Sequence, residues 1–142
     1  MTLVLTVLRA TPSLNDFANL SRHRSWRYRE IRRTWHRQVQ DALLEARAAT
    51  RVPLAWPRPP RERVTVHVTR YAPAHQWLDP DNLVGGLKPV LDALKAHAII
   101  ADDTAQAIAL VACQDVSPHQ QPTRWTEIRV SLDWPILREV YA

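Results

Sequence analysis

Cysteine occurs once in the 142 residues, at Cys113, and lysine only twice, at Lys88 and Lys95. Glycine also occurs twice, at the adjacent Gly85 and Gly86. A lone cysteine excludes an internal disulfide framework and any zinc site built on cysteine. The six histidines show no HxxxH or comparable zinc spacing. No glycine-rich P-loop and no GxSxG elbow is present, so serine and cysteine nucleophiles lack a recognisable context. No apolar run approaches the ~20 residues that a membrane span requires, and the longest, Ala105 to Cys113, is strand-sized. The N-terminal MTLVLTVLRATPS has neither a basic n-region nor a full apolar h-region, so it reads as a strand rather than an export signal. The expectation is one domain over residues 1–142, cytoplasmic and without a membrane partner.

Positive charge is plentiful. Nineteen Lys+Arg face fourteen Asp+Glu, for a net charge of +5, and seventeen of the nineteen cations are arginine. Arginine suits bidentate phosphate contact; a GC-rich coding bias produces the same excess. Clustering favours the first explanation. Arg22, Arg24, Arg27, Arg29, Arg32, Arg33 and Arg37 fall within sixteen residues that hold one acid, Glu30. That density exceeds what solubility needs and marks a phosphate-binding candidate. Trp26, off the apolar stripe of the same segment, is placed to stack on a base or to cover a sheet edge.

The hydrophobic pattern gives the order β-α-β-α-β-β. Thr2–Arg9 reads as a buried strand, followed by turn chemistry at Pro12, Ser13, Asn15 and Asp16. Tyr28, Ile31, Trp35, Val39, Ala42, Leu43 and Ala46 recur at helical spacing and predict a long amphipathic helix from about Arg24 to Thr50. VPLAWPRPP is an extended connector. Val64, Val66 and Val68 alternate with Thr65, His67 and Thr69 in a half-buried strand. Leu83, Leu87, Leu91 and Leu94 predict a second helix over Pro80 to about His97, with Asp81 as its cap. Ala105–Asp115 and Arg124–Asp133 are two more strands, joined through SPHQQPT in the manner of a hairpin. The fold class is α/β (α+β): a single compact domain with a mixed sheet covered by two helices.

Three carboxylates stand out: Asp79 and Asp81 in LDPDNL, and Asp103 in IIADDT. Pro80 stiffens the first pair, and the chain's return after the second helix can bring Asp103 beside it. Three carboxylates in one hollow repel, and a hard divalent cation such as Mg²⁺ offsets that repulsion through oxygen ligands. Lys88 lies seven residues, two helical turns, after Asp81 and would share its face. The bland alternatives are a turn with a helix cap for DPD, a solvated turn for Asp102-Asp103, and a surface ion pair for Lys88. The glycine pair signifies either close approach of a nucleic-acid backbone or a kink between helical segments.

LDPDNLVGGLKPVLDALKAHAIIADD resembles the core motif of the RusA-type Holliday-junction resolvases, a family of endodeoxyribonucleases. The matching residues are Asp79, Asp81, Asn82, Leu83, Lys88, Asp92, Ala93, Leu94, Asp102 and Asp103. The TPSLN turn, through Pro12, Ser13 and Asn15, is similar to the family's Pro-Ser-x-Asn turn. Relative to the family pattern, Val84-Gly85-Gly86 adds about one helical turn before the lysine. The resemblance implies a RusA-like homodimer that binds four-way DNA junctions and nicks two strands symmetrically. It also implies Mg²⁺ as cofactor, with Mn²⁺ able to substitute. Asp79, Asp81 and Asp103 would be the metal ligands and catalytic acids, and Lys88 the essential cation. Arg22, Arg24, Arg29, Arg32, Arg33 and Arg37 are the DNA-contact candidates. The alternative is a non-catalytic basic DNA-binding protein; a hydrolase of small phosphoesters is weaker, because no nucleotide-pocket motif is present.

Overall fold

The computed structural model describes residues 2–17, 25–49, 56 and 59–132. Four strands form the sheet: β1 (Thr2–Val7), β2 (Val64–Tyr71), β3 (Ile108–Asp115) and β4 (Trp125–Ser131). Helix α1 (Ser25–Ala48) links β1 towards β2, and α2 (Pro80–Gly85) with α3 (Lys88–Ala96) lies between β2 and β3. The strand order is β1-β4-β2-β3. β4 runs antiparallel to both neighbours, while β2 and β3 are parallel.

Alternation decides which face of the sheet is covered. Leu3, Leu5 and Val7 of β1, Val64, Val66 and Val68 of β2, and Ile128 and Val130 of β4 are all buried. In register they form cross-strand rows: Leu3, Val130, Val66 and Leu110, then Leu5, Ile128, Val68 and Ala112. Trp35, Val39, Ala42, Leu43 and Ala46 of α1 join them in one core with Val90, Leu91, Ala93 and Leu94 of α3. The amphipathic stripe of α1 is thus the predicted one, and α1 packs on both α3 and β1. The next row breaks the apolar pattern: Val7 is followed by Thr126, Arg70 and Gln114. Those three polar side chains bind loop backbone, as described below. Among the described residues no helix is long and apolar enough to cross a membrane.

Three expectations are corrected. The second helix is two helices, because Pro89 has no N–H to offer the carbonyl four residues back and its ring crowds that carbonyl. Asp79, not Asp81, occupies the N-cap position of α2, with Pro80 entering its first turn. The link from β3 to β4 is not a hairpin, since both edges of β4 are taken by β1 and β2. β3 instead forms one edge of the sheet, opposite β1, and its pattern is mostly half-buried.

The glycine pair now has a cause within the chain. Gly86 has φ −70° and ψ −11°, a backbone any residue adopts. What it cannot carry is a side chain: a Cβ there would sit 1.9 Å from the carbonyl oxygen of Pro12. At Gly85 the neighbour is the Leu14 side chain, 2.8 Å away at its nearest. The Pro12–Asp16 turn therefore lies directly on the junction of α2 and α3. Gly86→Ala should destabilise the fold by about 1–3 kcal/mol or more, because the obstacle is backbone that cannot swing aside. A lower urea midpoint at unchanged slope is the expected result.

Candidate functional site

The turn after β1 is built by its own side chains. The Ser13 hydroxyl accepts from the Asn15 N–H at 3.2 Å, and Asp16 Oδ2 accepts from the Ser13 N–H at 2.9 Å. This reciprocal capping box fixes the turn that the glycine pair receives. On the far side, β2 leads through Ala74–Gln76 into the LDPDNL loop. Leu78 is held at both backbone groups by one side chain: its N–H donates to Gln114 Oε1 at 2.9 Å, and Gln114 Nε2 donates to its carbonyl at 2.7 Å. Asp79 follows at once. Asp79 caps α2 by position, with its carbonyl accepting the Leu83 N–H at 2.9 Å, but its carboxylate makes no capping bond. Asp79 and Asp81 are exposed. Neither carboxylate has a hydrogen-bond or ion-pair partner among the described residues.

Asp103 is brought back by a helix reversal. α3 ends in a Schellman motif: the Ile99 N–H bonds to the Leu94 carbonyl at 2.9 Å and the Ala98 N–H to the Lys95 carbonyl at 3.0 Å. Ala98 has φ 56° in the position usually given to glycine, and the buried Ile99 and Ile100 anchor the turn. The chain then runs back along α3. Asp102 pairs with Lys95 at 2.9 Å, and Asp103 meets Lys88 at 2.5 Å. The Lys95 ammonium holds the Asp102 carboxyl below its ordinary range.

Lys88 is the hub of a larger network. Its ammonium also lies 3.2 Å from Asp92. Asp92 in turn accepts the Tyr28 hydroxyl at 3.0 Å and faces Arg32 at 3.7 Å. The bond to Asp103 raises the Lys88 pKa above its ordinary value; burial opposes this, and Asp92 adds to it. Tyr28 is raised by burial first and by the Asp92 bond second. Asp92 belongs to the sequence motif but had no assigned role. The structure makes it the tie between α1 and α3, a part no local pattern discloses because Tyr28 is 64 residues away.

Lys88 is not two turns along one helix from Asp81, as the spacing predicts. The break at Gly86-Leu87 places it at the first residue of a new helix. Asp103, expected beside Asp79 and Asp81, accepts a hydrogen bond from Lys88. Among the described residues no group of three His, Cys, Asp or Glu side chains is placed to hold a metal ion. The donor chemistry nonetheless fits Mg²⁺, which takes oxygen only and is commonly held by one or two carboxylates with water completing the shell. Asp79 and Asp81 offer such carboxylates without a hydrogen-bond or ion-pair partner among the described residues, and Asp103 has one oxygen bonded to Lys88.

Of the arginine candidates, Arg22 and Arg24 lie outside the described residues. Arg29, Arg33 and Arg37 are exposed and stand four apart on α1, one row of like charge. Arg32 is exposed too and joins the Asp92 network.

Asp92→Ala should cost about 0.5–1.5 kcal/mol, the net worth of the part-buried Tyr28 hydrogen bond, and should bring the Tyr28 pKa down towards its ordinary value. Tyrosine absorbance titration and urea unfolding check both. In the unmodified chain Tyr28 and Lys88 hold their protons more tightly when folded. Their contribution is complete below the ordinary values of 10.0 and 10.5 and is lost as pH rises through the higher folded values. Stability should therefore fall at alkaline pH, less steeply in the Asp92 variant.

No family model matches the chain, and no curated protein matches it.

Proposed function

We propose that the chain is a Mg²⁺-dependent, structure-selective endodeoxyribonuclease of RusA type that nicks four-way DNA junctions as a homodimer in the cytoplasm. The observation that carries the reading is the position of Lys88. A lysine at a helix N-terminus opposes the helix dipole, and a lysine four residues before an acid is the weaker order of such a pair. Among the described residues, Asp92 and Asp103 offset that cost. A cation kept there against local preference suits a site that must meet negative charge from outside.

Asp79, Asp81 and Asp103 would hold the ion, which supplies an activated water and offsets charge on the phosphate oxygens. The rest falls to the chain's own groups. Lys88 gives up its bond to Asp103 and turns its ammonium to a phosphate or leaving oxygen. Asp92 keeps the lysine charged and close. Arg29, Arg33 and Arg37 attract the DNA backbone. A two-fold dimer sets two such sites against the two equivalent strands of a junction.

A second reading, a non-catalytic DNA-binding protein, draws on the ion pair that occupies Asp103. Incubation with a synthetic four-way junction, with and without Mg²⁺, separates the two on a denaturing gel. Paired nicks should appear only with the metal; none in either lane overturns the nuclease reading. Asp81→Asn should abolish nicking while junction affinity holds or rises, since a charge that repels phosphate is gone. Arg29→Ala and Arg33→Ala should each lower affinity and reduce the salt slope by about one. An unaltered slope removes α1 from the DNA footprint.

A further inference from the structure

A cavity of about 720 Å³ opens between the turn after β1, the start of α1 and the end of β2. It is of the size that small ligands occupy. Four arginines line it, Arg9, Arg27, Arg70 and Arg124, against two carboxylates, Asp16 and Glu30. One oxygen of Asp16 is already committed to the Ser13 N–H. Arg70 is 8% exposed, and its Nε and Nη1 donate to the carbonyls of Thr11 and Gln76. Its Nη2 has no partner among the described residues. Burial lowers the Arg70 pKa, Asp16 opposes that shift and Arg124 adds to it.

Two further features point to a ligand. Thr11 lines the cavity, is 1% exposed, and its hydroxyl has no hydrogen-bond partner among the described residues. A buried hydroxyl left unpaired is unfavourable, so a site that retains one has a use for it. Trp26 lines the same cavity and is 55% exposed, a large flat ring offered to solvent. Guanidinium groups and a hydroxyl are phosphate donors, and an exposed indole is a stacking surface for a base.

We propose that this cavity binds a single nucleotide, its phosphate on Arg70, Arg124 and the Thr11 hydroxyl and its base against Trp26. Leu78, the residue before Asp79, lines the same cavity. A nucleotide held there lies beside the aspartate loop, and this link to cleavage rests on the nuclease reading. The binding itself does not. The nucleotide belongs either to a displaced DNA strand or to the free pool.

Calorimetric titration of the full chain in EDTA tests the site with dAMP, deoxyadenosine and inorganic phosphate. dAMP should bind at least about tenfold more tightly than deoxyadenosine. Thr11→Val and Arg124→Gln should each weaken dAMP by about tenfold, and Thr11→Val should raise the melting temperature of the ligand-free protein. Trp26→Ala should weaken dAMP while leaving inorganic phosphate unchanged. Equal binding of dAMP and deoxyadenosine, or unaltered dAMP affinity in both Thr11→Val and Arg124→Gln, overturns the proposal. A 5′-phosphorylated tetradeoxyadenylate that binds more tightly than dAMP identifies the strand as the source; equal affinity identifies the free nucleotide. Junction nicking by a chain that binds no dAMP overturns this inference alone, and dAMP binding by a chain that nicks nothing overturns the nuclease reading alone.

Discussion

Everything on the functional side of the molecule hangs from one buried guanidinium. Arg70 sits in register with Thr126 and Gln114 on the covered face, where the rows before it are apolar. Taking a guanidinium out of water is costly without compensation, and here the compensation comes from backbone carbonyls rather than a carboxylate. Bonds of 3.0 and 3.1 Å to Thr11 and Gln76 join the turn after β1 to the loop after β2. Hydrogen bonds to a charged donor are about twice as strong as neutral ones, so two of them suffice to set the loops. The neighbours in the row continue the work. Gln114 clamps Leu78, and the Thr126 hydroxyl donates to the Arg9 carbonyl at 2.6 Å. A row of three polar side chains thereby determines where the chain leaves the sheet and where the aspartates stand.

A second constraint acts from the opposite direction. The Pro12 carbonyl presses on Gly86 closely enough to forbid any Cβ. The turn that Arg70 holds from below is therefore seated from above on the junction of two helices. That junction is where the helical hydrogen bonding must be interrupted for Pro89, so the break and the contact occur together. Its consequence is chemical: Lys88 begins a helix rather than continuing one. Its ammonium is shared with Asp92 and Asp103 instead of standing over Asp81.

The parts of this architecture that depend on local period were legible in the sequence. The stripe from Ile31 to Ala46 and the valines of β2 need only spacing to be read, and they fall where spacing puts them. The break before Lys88 was half legible, since Pro89 and the two glycines are visible, but the obstacle at Gly86 comes from a residue 74 positions earlier. The place of β4 was not legible. Adjacent strands most often pair with each other, and β4 lies between β1 and β2 because the crossover through α2 and α3 already sets β3 beside β2. The same limit applies to the sites. The motif placed Asp103 and Lys88 in one neighbourhood, whereas Asp92's bond to Tyr28 and the gathering of Arg9, Arg70 and Arg124 around Thr11 are products of long-range packing.

Departures from local preference are where a fold shows what it has been made to do. A helix optimised for stability would carry an acid at its first residue and a base one turn later; α3 carries Lys88 first and Asp92 fourth after it. An exposed helix face would alternate charge, yet Arg29, Arg33 and Arg37 repeat the same sign at the spacing where repulsion is felt. A buried hydroxyl would find a partner, and Thr11 has none among the described residues. Each departure is worth only a few tenths to about 1–3 kcal/mol, small enough for the core to absorb. They have in common that an anionic phosphate would relieve each of them. A solvated helix or a satisfied cap would explain any one of them singly. On the nuclease reading proposed above, one ligand class would account for all three mismatches, with Arg32 and Asp92 joining the α1 arginines to Lys88.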